Sequence, residues 1–469
     1  MTWIDVTLQE QHLDELRQLV LPSTGSEGAA YLLFGRSSVG QDPWERRARQ
    51  RFMSYEVVSI PDGDIESSGP SHVTWSTASF VRLLKKAKDQ GLVAGIVHSH
   101  PKGPDWFSDQ DRSNEGQLAQ LARNRNGLGA ALISVLLTGD GQVRAQVWLD
   151  DRLPEPATAV RVVGRHLAIH HRRTRVGRDV AFDRQALAFG DEVNAQLRGM
   201  RVGVVGCGGT GSATAVLLAR LGVGQLVLFD EDVVEASNLN RLHGARRSDA
   251  DAMRLKVDVL AREITEMGLG VRVARMPQWI GADACRDALK SCDVIFGCTD
   301  DNDGRLLLNR LAYFYLIPVI DMGLAIEPAP VGGGVRELSG RCTVLTPSSP
   351  CLLCRGIIDP SLARAEALKR ENPQEYERQK REAYVRGGGN PAPAVVTFTT
   401  ATASMAIDEL LQALSGFRGG DGWAWQRIRR FDLMRDRTPG APVNHDCPVC
   451  ADRTYWGIGD IDPFLDRVG

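Results

Sequence analysis

Two histidines stand on alternate positions, His98 and His100, in the stretch VHSHPKGPDWFSDQD, and Asp111 follows eleven residues after the second. A strand points alternate side chains to one face, so both imidazoles emerge together at its end. Pro101 and Gly103 turn the chain, and Ser108 is placed to cap the helix that carries Asp111. Two imidazoles and one carboxylate leave a position of a tetrahedral zinc free, which is the pattern of a catalytic metal. Such a metal lowers the pKa of its water toward about 7. The chemistry also needs a general base and an oxyanion donor. Ser108 can supply the donor hydroxyl. The acid is best sought at the head of the first strand, at Glu27 in SEGAAYLLFG, with Glu56 and Glu66 as weaker alternatives.

A second stretch asks for a different ligand. VVGCGGTGS follows an apolar strand and opens a helix, and Gly206, Gly208, Gly209 and Gly211 let backbone N–H groups approach a phosphate. The next strand, QLVLFD, delivers Asp230 where a ribose would lie. Up to this point a dinucleotide and ATP are equally served. EASNLNRLHGAR then offers Asn238, Asn240 and Arg241, MRLKVDVL offers Lys256, and CTDDNDGR offers Asp300 with Arg305 beyond. Several cations with an isolated aspartate suit a triphosphate and Mg²⁺. A hydride-transfer site has no need of them.

Four of the nine cysteines form two C-x-x-C pairs, Cys351 with Cys354 and Cys447 with Cys450. Paired in this way they point to a metal before a disulfide. Cys207, Cys285, Cys292, Cys298 and Cys342 stand singly in apolar or turn-like contexts, where a small buried residue is expected.

The elements that must position these groups follow from periodicity. Residues 1–150 alternate strand-like runs such as LVAGIVHSH and AALISVLLTG with a helical stretch, TASFVRLLKKAKDQG. Residues 151–180 are expected to be a basic linker, with six Arg and three His between positions 161 and 178. From residue 181 strands and helices alternate as βαβ units, which argues for a doubly wound parallel sheet. Residues 361–389 read as a charged helical crossover ending in RGGGN. The expected fold class is α/β, with two domains.

Two resemblances attach to these residues. Glu27…H-x-H-P…S-x-x-D resembles the JAMM motif of the JAB/MPN metalloproteases and covers roughly residues 1–150. It implies His98, His100 and Asp111 as zinc ligands, Glu27 as the base, Ser108 as the oxyanion helper, and cleavage of peptide or isopeptide bonds after ubiquitin-like tails. Residues 181–469 resemble the Rossmann-like adenylation domain shared by ubiquitin-activating enzymes and the thiamine and molybdopterin adenylyltransferases. That resemblance implies a homodimer in which Arg184 reaches the partner protomer's ATP. It assigns Asp230 to the ribose, Asn240, Arg241 and Lys256 to the phosphates, Asp300 to Mg²⁺, and the four paired cysteines to a structural zinc. TDD departs from the usual T-D-N of that family at Asp301. No cysteine lies between Cys354 and Cys447, where thioester-forming members carry the transfer residue. Either the chain stops at the acyl-adenylate, or a partner's nucleophile, or a hydroxyl such as Thr397 or Thr399, takes the acyl group.

With a net charge of -2 and no apolar run of membrane length, the sequence gives no reason to expect nucleic acid or a bilayer as partner. The N-terminus lacks a signal pattern, so a cytoplasmic location is expected. The expected function is bifunctional: ATP-dependent adenylation of a ubiquitin-like protein's Gly-rich C-terminus, and zinc-dependent cleavage at the same tail. A conjugating-enzyme-like protein would be a further partner. Sulfur-carrier activation in cofactor or cysteine biosynthesis is the rival reading, and a scaffold that binds the modifier without chemistry is another.

Overall fold

The computed structural model describes residues 3–150, 153–172, 179–329, 334–381, 393–441, 444–461 and 465. The RGGGN segment and the most basic part of the expected linker, 173–178, lie outside the described residues.

Nine strands form the N-terminal sheet, in the spatial order Leu167–His171, Ala159–Val163, Trp3–Gln9, Arg49–Ser59, Ala29–Val39, Val93–His100, Leu132–Thr138, Val143–Trp148, Glu155–Pro156. Its central strands are apolar on both faces because both are covered. Leu32, Phe34 and Val97 pack with Leu13 and Leu16 of the helix Glu10–Val20. Tyr31, Leu33 and Ile96 point the other way, toward Phe80 and Leu83 of Thr77–Asp89 and Ala119 of Asp109–Asn126. Alternation along Ala29–Val39 thus feeds two cores.

Residues 155–171, expected as a linker, instead form three strands of this sheet. Ala159–Val163 pairs in parallel with Trp3–Gln9, and its valines are buried. The basic residues disguise a β-rich pattern, AVRVV, whose Arg161 is buried by charge pairing.

In the second sheet five parallel strands come in the order Arg272–Met276, Gln225–Phe229, Arg201–Val205, Val294–Gly297, Val319–Pro328. Three antiparallel strands extend it: Val335–Leu345, Gln426–Arg430 and Arg435–Arg437. Strand order reverses beside Arg201–Val205, which is where open α/β sheets bind ligands. Gly206 turns the chain there at φ +84, and a Cβ on Gly211 would stand 1.7 Å from the Gly206 carbonyl oxygen. The helix-periodic run over 250–268 is broken at Met253 (φ 47), so that Lys256 begins the helix Lys256–Glu266. No helix among the described residues is long and apolar enough to cross a membrane.

The halves meet at a buried cluster of four arginines and three aspartates. Arg161 Nε donates to Asp293 at 2.6 Å, Arg201 Nη1 to Asp42 at 2.9 Å, and Arg49 Nε to Asp5. Arg161 also pairs with Asp5 at 3.2 Å, and Arg51 lies 3.7 Å from Asp293. None of the seven side chains is more than 5% exposed. Replacing Asp293 by Ala strands buried guanidinium charge, so stability should fall by about 3–5 kcal/mol. The check is the urea midpoint at unchanged slope.

Candidate functional sites

The strand Val93–His100 brings His98 and His100 to one face at its end, as the spacing requires. Ser99 points to the other face, where it donates to the Val20 carbonyl and accepts from the Gly28 N–H at 3.1 Å. That tether fixes the register of the histidines. Asp111 enters from the helix Asp109–Asn126, whose capping box is complete. The Ser108 N–H and hydroxyl each donate to Asp111 Oδ2 at 2.7 Å, and the Asp111 N–H donates to Ser108 Oγ at 3.1 Å. The Ser108 hydroxyl therefore orients the carboxylate.

Both imidazole Nε2 atoms lie 3.5 Å from Asp111 oxygens. His100 Nδ1 contacts the Pro104 carbonyl at 2.9 Å, so as donor there it leaves Nε2 with its lone pair turned inward. His98 Nε2 is buried without a hydrogen-bond partner. The three donors lie within 4.8 Å of one another, and an orphaned imidazole nitrogen among them is what a metal ligand looks like. The residues fit zinc.

Glu27 is nearly buried at the head of Ala29–Val39, its backbone held by Gly69 and Ser68. Burial raises its carboxyl pKa, against the pull of His100 and His98. Glu56 is instead paired with Lys86, and Glu66 is exposed on Ile65–Gly69. Glu115, missed from the sequence, is buried nearby and accepts from Gln146 at 2.6 Å and Trp148 at 2.9 Å.

The second site is a cleft of about 480 Å³ at the carboxyl ends of the parallel strands. Gly206, Gly208, Gly209, Asp230, Arg241, Lys256, Asp300 and Arg305 line it. Asp230 accepts from the Cys207 N–H at 2.6 Å and the Asp232 N–H at 2.9 Å. Burial raises its pKa, with Lys256 opposing. For Lys256, burial works against the charge, but Asp230 and Asp232 override it and raise the ammonium's pKa. Asp300 is exposed and has no protein hydrogen bond among the described residues.

Gly211 serves helix packing, and Asn240 is exposed, contacting Arg241 at 3.3 Å. Neither lines the cleft. Arg184 is exposed on the helix Asp183–Phe189 and does not enter the cleft of its own chain. Asp301 caps the helix Asn302–Phe314 by accepting from the Gly304 N–H at 2.9 Å. Asparagine caps equally well, which accounts for aspartate at this position. Arg370 and Trp279 also line the cleft, the guanidinium lying 3.6 Å from the ring centroid. Nothing local in the sequence marks that pair.

Cys351, Cys354, Cys447 and Cys450 converge, with sulfurs 3.6 Å apart between Cys351 and Cys447 and 3.5 Å between Cys354 and Cys450. A tetrahedral zinc with bonds of about 2.3 Å needs sulfurs about 3.8 Å apart, so this set fits as well.

The model of the ThiF family matches residues 182–450, and that of prokaryotic homologs of the JAB domain matches residues 9–149. The SAMP-activating enzyme E1 of Haloferax volcanii is 28% identical over 277 residues, 58% of this chain and 88% of its own. The sulfur carrier protein ThiS adenylyltransferase of Escherichia coli is 30% identical over 280 residues, 59% of this chain and 94% of its own. Among solved structures, E. coli MccB covers 61% of this chain at 14% identity and TM-score 0.45, a likeness too loose to build on.

Cys450→Ser should reduce zinc bound to the purified chain by one equivalent and lower its denaturation midpoint, because closed thiolate sites contribute folding energy. His98→Ala should remove a different equivalent with a smaller loss of stability. Metal analysis beside thermal melts of both variants separates the two sites.

Proposed function

Because this chain belongs to the ThiF family over more than half its length, we propose that it transfers the adenylyl group of ATP to the C-terminal carboxylate of a ubiquitin-like or sulfur-carrier protein. The observation that carries the reading is the cleft itself: glycine amides, Asp230, Arg241, Lys256, Arg305 and exposed Asp300 meet at the sheet's switch point. Helix N-terminal amides at Gly208 and Gly209 bind phosphate, Asp230 holds the ribose, and Lys256 and Arg241 neutralise the triphosphate as pyrophosphate leaves. Asp300 and its neighbours offer an oxygen-rich place for Mg²⁺, which would supply further charge neutralisation. Arg184, exposed and outside its own cleft, suits a reach into the partner of a homodimer. The relatives named for SAMP activation and for ThiS adenylylation support this partner class.

For the N-terminal half we propose amide hydrolysis at the same kind of tail. His98, His100 and Asp111 would hold zinc, which when bound supplies the acidity that readies a water. Glu27, raised by burial, takes the proton from that water and passes it to the leaving amine. The Ser108 N–H keeps Asp111 oriented, and the Ser108 hydroxyl, turned away from Asp111 Oδ2, would donate to the developing oxyanion.

Sulfur-carrier activation is favoured as a second reading by one observation. No cysteine lies between Cys354 and Cys447, and the other thiols are buried or half-buried. Burial pushes Cys285 and Cys298 up to about 12, and Cys342 higher still.

Asp300→Ala should reduce carrier-dependent ATP–pyrophosphate exchange by about a hundredfold or more. Glu27→Ala should keep its zinc and lose tail cleavage by about 10²–10⁴. Retained exchange in the first variant, or unchanged cleavage in the second, would remove that residue from its role. Incubated with ATP and carrier, the chain should form no adduct that a reducing agent releases. A thiol-labile adduct lost in Cys342→Ala would overturn that expectation.

A further inference from the structure

Each candidate site lies at the end of its own sheet away from the joint. Along Arg49–Ser59, Arg49 pairs with Val39 and Ser59 with Ala30, so this strand runs from the arginine cluster toward the head of Ala29–Val39. Ala29 pairs in turn with His98. The metal triad is therefore at the far end of its sheet from the joint. In the other half the joint grips the beginnings of the parallel strands. Arg201 starts one, Asp293 immediately precedes another, and Trp44 Nε1 reaches the carbonyls of Leu226 at 3.1 Å and Arg272 at 3.2 Å. The nucleotide cleft opens where those same strands end.

At about 3.3 Å per residue, the eleven residues of Arg49–Ser59 and the five of Arg201–Val205 trace a path of roughly 50 Å along the strands, from one site to the joint and on to the other. An extended peptide needs about fifteen residues to run that far, over the outside of two covered sheets. Rocking one half against the other cannot shorten the path cheaply. It would pull apart the buried arginine–aspartate pairs, the bond from Trp423 Nε1 to the Gly164 carbonyl at 3.0 Å, and Asp460, which bridges Ser38 N–H at 2.6 Å and Tyr315 OH at 2.9 Å.

We infer that one chain never passes a tail from its metal site to its nucleotide cleft: the carboxylate made by hydrolysis is released to solution, and activation draws on the free pool. The inference rests on the two activities proposed above. Hydrolysis breaks the amide C–N bond, places the water oxygen on the carbonyl carbon and leaves the proton on the amine. The freed carboxylate later attacks the α-phosphorus at the other site and expels pyrophosphate. Any tail hydrolysis that fills the pool supplies the adenylation site, and the folded carrier meets two separate docking faces.

The test uses the full-length chain loaded with zinc, ATP and Mg²⁺. The probe is a Gly-Gly-terminated ubiquitin-like carrier chosen because it supports ATP–pyrophosphate exchange with this chain. Its heavy-isotope form is fused through the tail to a reporter, and light mature carrier is added in large excess. Mass spectrometry of the first adenylate formed should show heavy carrier only in proportion to its share of the free mature pool. A tail handed directly between sites would react at an effective concentration far above the bulk and appear enriched several-fold. That enrichment, from one chain or across a dimer, would overturn the inference while leaving both activities standing. Exchange without reporter release would instead remove the hydrolase reading, and the inference with it.

Discussion

The buried charge cluster at the joint constrains everything else about how the two halves sit. Four guanidinium groups and three carboxylates leave water together, a loss that attraction repays only with full pairing. The backbone supplies part of what is missing: the Cys292 carbonyl takes Arg51 at 2.9 Å and the Ser291 carbonyl takes Arg49 at 3.4 Å, while Arg51 Nε and Arg161 Nη1 stay without a hydrogen bond. Burial, with Arg161 adding repulsion, brings the Arg51 pKa down to about 10, whereas Asp293 and Asp5 outweigh burial and raise that of Arg161. Arg201 is further covered by the rings of Trp3 and Trp44. Such a joint has one geometry. Hydrophobic faces slide, but paired buried charges keep their partners.

With the orientation held, each half uses the same device to present chemistry. Strands buried on both faces end abruptly, and the first residues beyond the covered region carry the polar groups. At one end this yields His98 and His100, with Ser99 turned inward to hold the neighbouring helix. At the other it yields the glycine turn after Val205, Asp230 after Phe229, and Thr299 and Asp300 after the strand Val294–Gly297. Helix N-termini then complete both sites, through the capping box of Ser108 and Asp111 and through the glycine-rich start of Gly209–Arg220.

Legibility in the sequence followed how local each cause is. Metal-ligand spacing, the glycine turn and the C-x-x-C pairs are defined within a few residues, and the structure brings their members together. The joint was invisible because Arg49, Arg51, Arg161, Asp5, Asp42 and Asp293 come from separate segments, and a charged residue read alone looks solvated. For the same reason the strand Ala159–Val163 passed for linker: its burial depends on carboxylates far away in sequence. Arg370 is equally opaque, since its place over Trp279 is set by a crossing helix, Pro360–Glu371.

The cleft also bears on what becomes of an activated carboxylate. Thr399 lines the cleft but is almost fully buried, and its hydroxyl donates back to the Val396 carbonyl at 3.0 Å. Its methyl group faces the glycine turn: a Cβ added at Gly209 would stand 3.2 Å from it. That makes it a wall rather than a nucleophile. Cys298, the cysteine among the described residues lining the cleft, is held as a thiol by burial. Thr397, on the same first helical turn, is exposed but absent from the cleft lining. Neither Thr399 nor Cys298, then, is poised to take an acyl group from an adenylate. A carrier activated here would then keep its phosphoanhydride until a nucleophile arrives from another molecule, which the cleft's exposed rim at Asp300 leaves room to approach.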